Sequence, residues 1–219
     1  MAQVNSINNA TSQLTIDPGA SGNSFVQYNV NASSKFIMGI DDSASDAFKV
    51  SVGSALGTTD SFIITSAGYN TMPLCPAFLG YLPSTDTNVT GDATVYTLGG
   101  TTALTKAFDL GTNFTTAGVF TAPITARYHF TAMVEANNMT SSNNLYYIQI
   151  VTTNRTYQIN IDPASIIGSG ILSNKVATVA DMTSGDTAKV QISVANTTKV
   201  VGCVGGSNGN SSFSGFLAC

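Results

Sequence analysis

The residues able to do chemistry are few and scattered. His129 is the only histidine; it lies in "GVFTAPITARYHF" (118–130) beside Arg127, and Arg155 is the one other arginine. A histidine-dependent hydrolase needs a nucleophile and an orienting carboxylate in hydrogen-bond reach of the imidazole. No GxSxG elbow supplies the nucleophile. A glycosidase needs two carboxylates about 5–10 Å apart. Glu135 is the only glutamate, and most aspartates lie in turn sequences, where Asp bonds its local backbone. Zinc requires three or four Cys, His or carboxylate ligands at workable spacing, and these are absent. Calcium favours clustered oxygens. "DDSASD" places Asp41, Asp42 and Asp46 in one loop without a full ligand ladder, so a hairpin turn with solvated carboxylates is expected. Calcium at that loop is the one metal left open, and no cofactor is assigned. The glycines of 168–170 and 205–209 lack the Lys-Ser/Thr of a phosphate loop and read as turn residues. His129 is therefore expected to be scaffold, and the chain no enzyme.

Composition narrows the classes further. The 219 residues have room for one large all-β domain or a smaller domain with an extension, and 43% are hydrophobic. Only 9% are charged, against about 25% in ordinary globular proteins, so Ser, Thr, Asn and Gln must build the polar surface. With Lys+Arg 8 against Asp+Glu 12, no basic stripe exists to neutralise phosphates, which argues against nucleic-acid partners. The same shortage removes the attraction to anionic membranes. No apolar run approaches the roughly 18–20 residues that span a bilayer. The amino terminus, "MAQVNSINNATSQ", has neither a basic nor an apolar leader region, so no secretory signal is expected.

Cys75, Cys203 and Cys219 are odd in number and show no CxxC spacing. They read as free thiols that pack as small hydrophobes, with a Cys203–Cys219 or interchain bridge left open. Sequons at Asn9, Asn31, Asn88, Asn113, Asn138, Asn154, Asn196 and Asn210 are attributed to an Asn-, Ser- and Thr-rich composition rather than to glycosylation.

The elements that must position these residues are strands. Period-two or mixed apolar runs occur at 24–30, 35–40, 47–52, 61–65, 127–136, 145–151, 156–161, 188–195 and 212–218. Turn signals such as "VGSALG", "NNMTSSNN", "TSGD" and "GGSNGNSS" separate them. No stretch repeats apolar residues at three and four, so the class is all-β. Pro73 and Pro76 interrupt ladder pairing, which predicts a β-rich segment over 1–72 and a head over 76–219. In the strand after Pro123, Tyr128, Phe130, Ala132 and Val134 share the face expected to be core. Arg127, His129, Thr131, Met133 and Glu135 share the other.

Gly118, Phe120, Pro123, Tyr128 and Phe130 fall on a pattern that resembles the signature of the complement C-one-q globular head. "PAFLGYL" (76–82), "MTSGDTAKVQI" (182–192) and "SSFSGFLAC" (211–219) match its opening strand, its Gly-Asp turn with the following strand, and its closing strand. Ala126 departs from the pattern, standing where that family usually has glycine. The first third, with its "GIDD…DAFKVS…LGTTDSFIIT" cadence, is similar to β segments of bacteriophage tail and head fibres.

The resemblance implies a jelly-roll sandwich of the tumour necrosis factor type assembled as a homotrimer. Phe120, Tyr128, Phe130, Tyr147, Phe213 and Phe216 would serve core and trimer packing, and Phe213→Asp or Tyr128→Asp would yield monomers or aggregates. It also implies a non-enzymatic virion fibre or decoration protein, made in the host cytoplasm and displayed on the virion. Such a protein would meet other fibre, capsid or tail proteins and attach to a host-surface glycan or protein. A receptor-free trimerisation cap or a bacterial surface adhesin is the alternative. "PSTDTNVTGD" (83–92), "NNMTSSNN" (137–144) and "GGSNGNSS" (205–212) are the most exposed candidates for receptor contact, and no single receptor-binding residue is assigned.

Overall fold

The computed structural model describes residues 15–19, 21–165 and 169–218; the amino-terminal stretch with Asn9, Gly168 and Cys219 lie outside them. The chain divides into two compact units, Met1–Leu74 and Cys75–Cys219.

Unit 1 is an antiparallel meander. Its strands β1 (Ser24–Val30), β2 (Ser33–Asp41), β3 (Ala47–Val52), β4 (Asp60–Ile64) and β5 (Asn70–Thr71) pair in chain order. Register sorts the side chains into rows. Val26, Met38, Val50 and Phe62 form the central row of one face, flanked by Tyr28–Phe36–Val52 and by Ile40–Phe48–Ile64. None of these ten apolar residues is buried. The opposite face is the covered one, and it buries Ile37, Asp41, Ala47, Lys49 and Ser51.

Here the expected turn of solvated carboxylates needs correction. "DDSASD" contains a short 3-10 turn, Asp42–Ala44. Asp42 and Asp46 stay exposed, but Asp41 does not. Asp41 stands opposite Ala47 and Gly39 opposite Lys49, so alternation along β2 and β3 puts carboxylate and ammonium on one face. Lys49 Nζ lies 2.8 Å from Asp41 Oδ2 and 3.1 Å from Asp60 Oδ2. Ser43 Oγ donates to Asp41 Oδ1, and Ser51 Oγ and the Gly57 N–H donate to Asp60 Oδ1. The hydrogen bond from Lys49 holds the Asp41 carboxyl below its ordinary value, and the same bond lifts Lys49 above its own. Burial pushes Asp60 upward, yet Ser51, Gly57 and Lys49 bring it below the usual range. Asp41 is thereby committed to an internal cation rather than to a calcium loop.

Unit 2 continues with β6 (Ala77–Tyr81), β7 (Asp86–Thr90), β8 (Tyr96–Thr97), β9 (Thr105–Leu110), β10 (Phe120–Thr121) and β11 (Ala126–Thr140). Then come β12 (Leu145–Thr152), β13 (Thr156–Ile161), β14 (Ser169–Met182), β15 (Thr187–Ala195), β16 (Val201–Cys203) and β17 (Ser212–Leu217). One sheet runs β14–β11–β17–β6–β9, with β16 and β7 extending it beside β11. The other runs β10–β15–β12–β13, and β8 also pairs with β15. From β11 onward the chain passes between sheets at β11–β12, β13–β14, β14–β15 and β15–β16. This is an antiparallel jelly-roll sandwich.

Alternation fills the interior. Along β11, Tyr128, Phe130, Ala132 and Val134 are buried; along β12, Tyr146, Ile148 and Ile150 are buried. Phe78 centres an aromatic cluster, with ring centroids 4.3 Å from Phe114, 5.1 Å from Phe120 and 5.0 Å from Phe213. Tyr146 Oη donates across the sandwich to the Val134 carbonyl at 2.8 Å. The signature glycine Gly118 has φ +76, and a Cβ there would lie 2.2 Å from the Leu98 carbonyl oxygen. Ala126 has no positive φ and simply opens β11. Asn31, Asn88, Asn138 and Asn196 hold left-handed backbone, a conformation Asn tolerates better than most residues. Asn31 and Asn196 hold it between strands, while Asn88 and Asn138 hold it within β7 and β11 where the ladder shifts register.

Candidate functional site

The outward face of the β14–β11–β17–β6–β9 sheet is the most unusual surface of the head. Register sets Val179, His129, Phe216, Ala77 and Leu110 side by side across all five strands. The next row is Ala177, Thr131, Ser214, Leu79 and Phe108. Val179 is 52% and Phe216 50% exposed, and Phe108, Leu110 and Met133 are exposed too. Charges stand only at the margins, with Lys175 opposite Met133 and Arg127 opposite Asp181. An apolar centre with a polar rim is the anatomy of a protein–protein interface.

His129 belongs to this wall. It is half-buried, and its ring centroid lies 5.0 Å from that of Phe216. Among the described residues, no group of three or more His, Cys, Asp or Glu side chains could hold a metal.

The six aromatics singled out by sequence divide three ways. Phe120, Tyr128, Phe130 and Phe213 lie inside the sandwich, at 1% exposure or less. Tyr147 is half-buried on the outer face of β12. Phe216 alone among them stands on the exposed wall. Phe213 and Phe216 are three apart on one strand, and the two-residue period sends them to opposite faces. An acidic substitution at Phe213 or Tyr128 therefore strikes the subunit interior.

The three polar stretches gather at one end of the head. The chain enters at Pro76, whose carbonyl accepts from Leu217 N–H; β6 then runs to Leu82, whose N–H donates to Ser211 O. The Gly205 N–H donates to Thr85 Oγ1, Asn210 Nδ2 to Glu135 Oε1, and Asn143 Nδ2 to Thr197 Oγ1. These stretches thus lie at the end of β6 opposite to where the chain enters. They are less loop-like than their composition suggests. Asp86–Thr90 is strand β7, and Asn143 and Ser211 are fully buried. The buried groups act as internal hydrogen-bond partners: Asp86 accepts from Tyr96 Oη and Thr102, and Asn143 Oδ1 accepts the Thr140 N–H. An open pocket of about 440 Å³ lies at this end, lined by Asn88, Tyr96, Thr101 and Lys199 among others.

A second open pocket, of about 450 Å³, is lined by Thr125, Arg127, Asn154, Asp181, Met182 and Thr183. Arg155 approaches Asp181 at 3.6 Å, so both arginines of the chain flank one carboxylate.

Cys75 is a partly exposed free thiol and Cys203 a buried one. Burial pushes the Cys203 thiol up to about 12, so almost no thiolate, the reactive form, exists at neutral pH. An alkylating reagent is expected to leave Cys203 unmodified in the native protein and to modify it on denaturation, as read by peptide mass spectrometry. Labelling at equal rates in both states would contradict this.

No protein-family model matches the sequence, and no curated protein matches it. Among solved structures, the chain is similar to the globular domain of zebrafish complement 1qA protein, with a TM-score of 0.44 and 16% identity over 66% of this chain and 98% of that one. It is similar to Eiger TNF from S. frugiperda, with a TM-score of 0.49 and 14% identity over 66% and 93% of the two chains. It is also similar to murine APRIL, with a TM-score of 0.44 and 11% identity over 65% and 98%.

Proposed function

We propose that copies of this chain join through the outer wall of the head into a homotrimer, and that the assembled head is a non-enzymatic attachment module on a virion fibre. The observation that carries the reading is the row Val179, His129, Phe216, Ala77 and Leu110, continuous across five strands and apolar at all but His129. A patch of this kind loses its water-exposed area when copies close around a rotation axis, and a three-fold ring closes without leaving a free wall. The end opposite to the chain's entry point then presents its Asn-, Ser- and Thr-rich surface to a glycan or protein on a host cell. Support for the virion setting comes from the fibre-like cadence of residues 35–72, which on this reading meet other fibre, capsid or tail proteins.

Phe216→Asp tests the assembly step. Because the side chain is half exposed, the fold should survive, as read by an unchanged circular dichroism spectrum. Light scattering should report single chains in place of trimers. A variant that still forms trimers at micromolar concentration would remove the wall from the interface. Attachment is read separately: labelled trimer should bind host cells and be displaced by excess unlabelled trimer. Failure to bind any host would favour the receptor-free cap.

A further inference from the structure

The open pocket of about 440 Å³ at the end of the head away from the chain's entry has a fixed floor and an unused rim. Tyr96 lines it at 6% exposure. The Tyr96 hydroxyl donates to Asp86, and the same buried carboxylate accepts from the Thr102 N–H and Thr102 Oγ1. Three donors on one carboxylate hold the Tyr96 ring and the Thr102 backbone in place before anything binds. The rim is the opposite. Thr87, Asn88 and Thr101 line the pocket as exposed residues, and none of their side chains makes a hydrogen bond with another described residue. Lys199 forms no ion pair among them, and the neighbouring Asp92 carboxylate accepts instead from the Thr94 N–H. Asn88 adds an independent observation. It holds left-handed backbone, φ +56, inside β7 where the β7–β16 ladder shifts register. Such irregularities re-aim side chains, and backbone outliers of this kind cluster at ligand sites.

We propose that this pocket binds a saccharide unit bearing adjacent hydroxyls, presented by a glycan of the host surface. Charge narrows the class first. Lys199 is the one charged residue of the lining, against the several cations that a polyanion draws. Apolar content narrows it next. Val95, 47% exposed, is the one large apolar side chain open on the lining, whereas a protein partner finds an apolar centre ringed by polar groups. What fits is a ligand dense in hydroxyls with small C–H faces, and a pyranose ring is both. The Asn88 amide offers a donor and an acceptor to neighbouring ring hydroxyls, the two threonine hydroxyls can do either, and Lys199 supplies further donors. Val95 suits the C–H face of the ring. The volume falls within the range of small-molecule sites. The source of the ligand rests on the attachment reading given above, and its chemistry on the pocket alone.

The test binds labelled full-length protein to host cells that are untreated, oxidised with periodate or digested with protease. Periodate cleaves the bond between carbons that bear adjacent hydroxyls, so it opens such sugar rings and leaves polypeptide backbones whole. Binding should vanish after periodate, whether or not protease also removes it with a carrier protein. Asn88→Gly keeps the left-handed backbone and removes the amide. That variant and Lys199→Ala should each weaken binding to untreated cells about tenfold, the effect of one or two lost hydrogen bonds. Circular dichroism and light scattering should match the parent in both, which separates lost contact from lost fold. Binding that survives periodate overturns the saccharide, and its loss to protease would name a protein instead. Binding lost to periodate yet unaltered in both variants overturns the pocket, as does a loss confined to Asn208→Ala, which would move the contact to 205–212. In each of these cases attachment itself stands. No binding to untreated cells is a different failure, removing the attachment reading and the saccharide site together.

Discussion

Phe78→Ala should cost the head about 3–5 kcal/mol of unfolding free energy, the range for removing a fully buried aromatic ring. The ring contacts Phe114, Phe120, Phe130 and Phe213, and two glycines leave room for the cluster. A Cβ on Gly215 would stand 2.5 Å from a Phe130 ring carbon and 2.8 Å from one of Phe78; a Cβ on Gly80 would stand 2.4 Å from Phe114. The cluster therefore has neither spare volume to collapse into nor spare space to fill. Gly215→Ala should destabilise as well, through overpacking that costs about 1–3 kcal/mol. Chemical denaturation at fixed protein concentration measures both, since self-association makes apparent stability concentration-dependent. A Phe78→Ala loss below 1 kcal/mol would mean that the cluster repacks freely.

The second large effect is expected at Lys49→Met. Removing the ammonium leaves the Asp41 and Asp60 carboxylates, both nearly buried, without their counter-ion, and breaking a buried pair in this way costs about 3–5 kcal/mol. The loss should be local. Amide hydrogen exchange in β2, β3 and β4 should accelerate, while β11 and β12 of the head remain protected. Replacing all three charged residues by apolar ones should restore much of the protection, because a buried ion cluster adds little over good apolar packing. Acid should mimic the substitution. Asp41 and Asp60 sit below their ordinary value of 3.8, so their contribution is fully present above that pH and fades as pH falls through the lower folded values. Lys49 sits above 10.5, so its contribution is present below that pH and is lost as pH rises through the higher folded value. Stability of unit 1 should thus be flat across the neutral range and fall at both extremes. Uniform exchange in Lys49→Met and parent would contradict the role assigned to the ion cluster.

Much of the strand content could be read directly. Every run identified by alternation, from 24–30 to 212–218, coincides with a strand or most of one. The inward face of β11 was legible because Tyr128, Phe130, Ala132 and Val134 alternate with polar partners. β14 was not. Its "SGILSNKVATVADM" is long, but its inward positions include Asn174 and Ala180, which give a hydrophobic pattern little contrast. The strand is held by its pairing with β11 over almost its whole length, a long-range contact with no local signature. β7 escaped for a related reason: "DTNVT" looks like a loop, yet its Asp86 is needed inside to accept from Tyr96 and Thr102.

The sequence by itself determined the all-β class, the side of its strand on which each residue falls and the aromatic stock of the core, because the two-residue pleat is a local property of extended backbone. The tertiary structure decided which outward residues become neighbours. Leu110, Ala77, Phe216, His129 and Val179 are drawn from strands over a hundred residues apart in the chain and read singly as unremarkable surface positions. Only strand order and register, chosen by how two sheets close over a shared interior, align them into a wall. In unit 1, the register of a single meander placed Lys49 against Asp41 and Asp60.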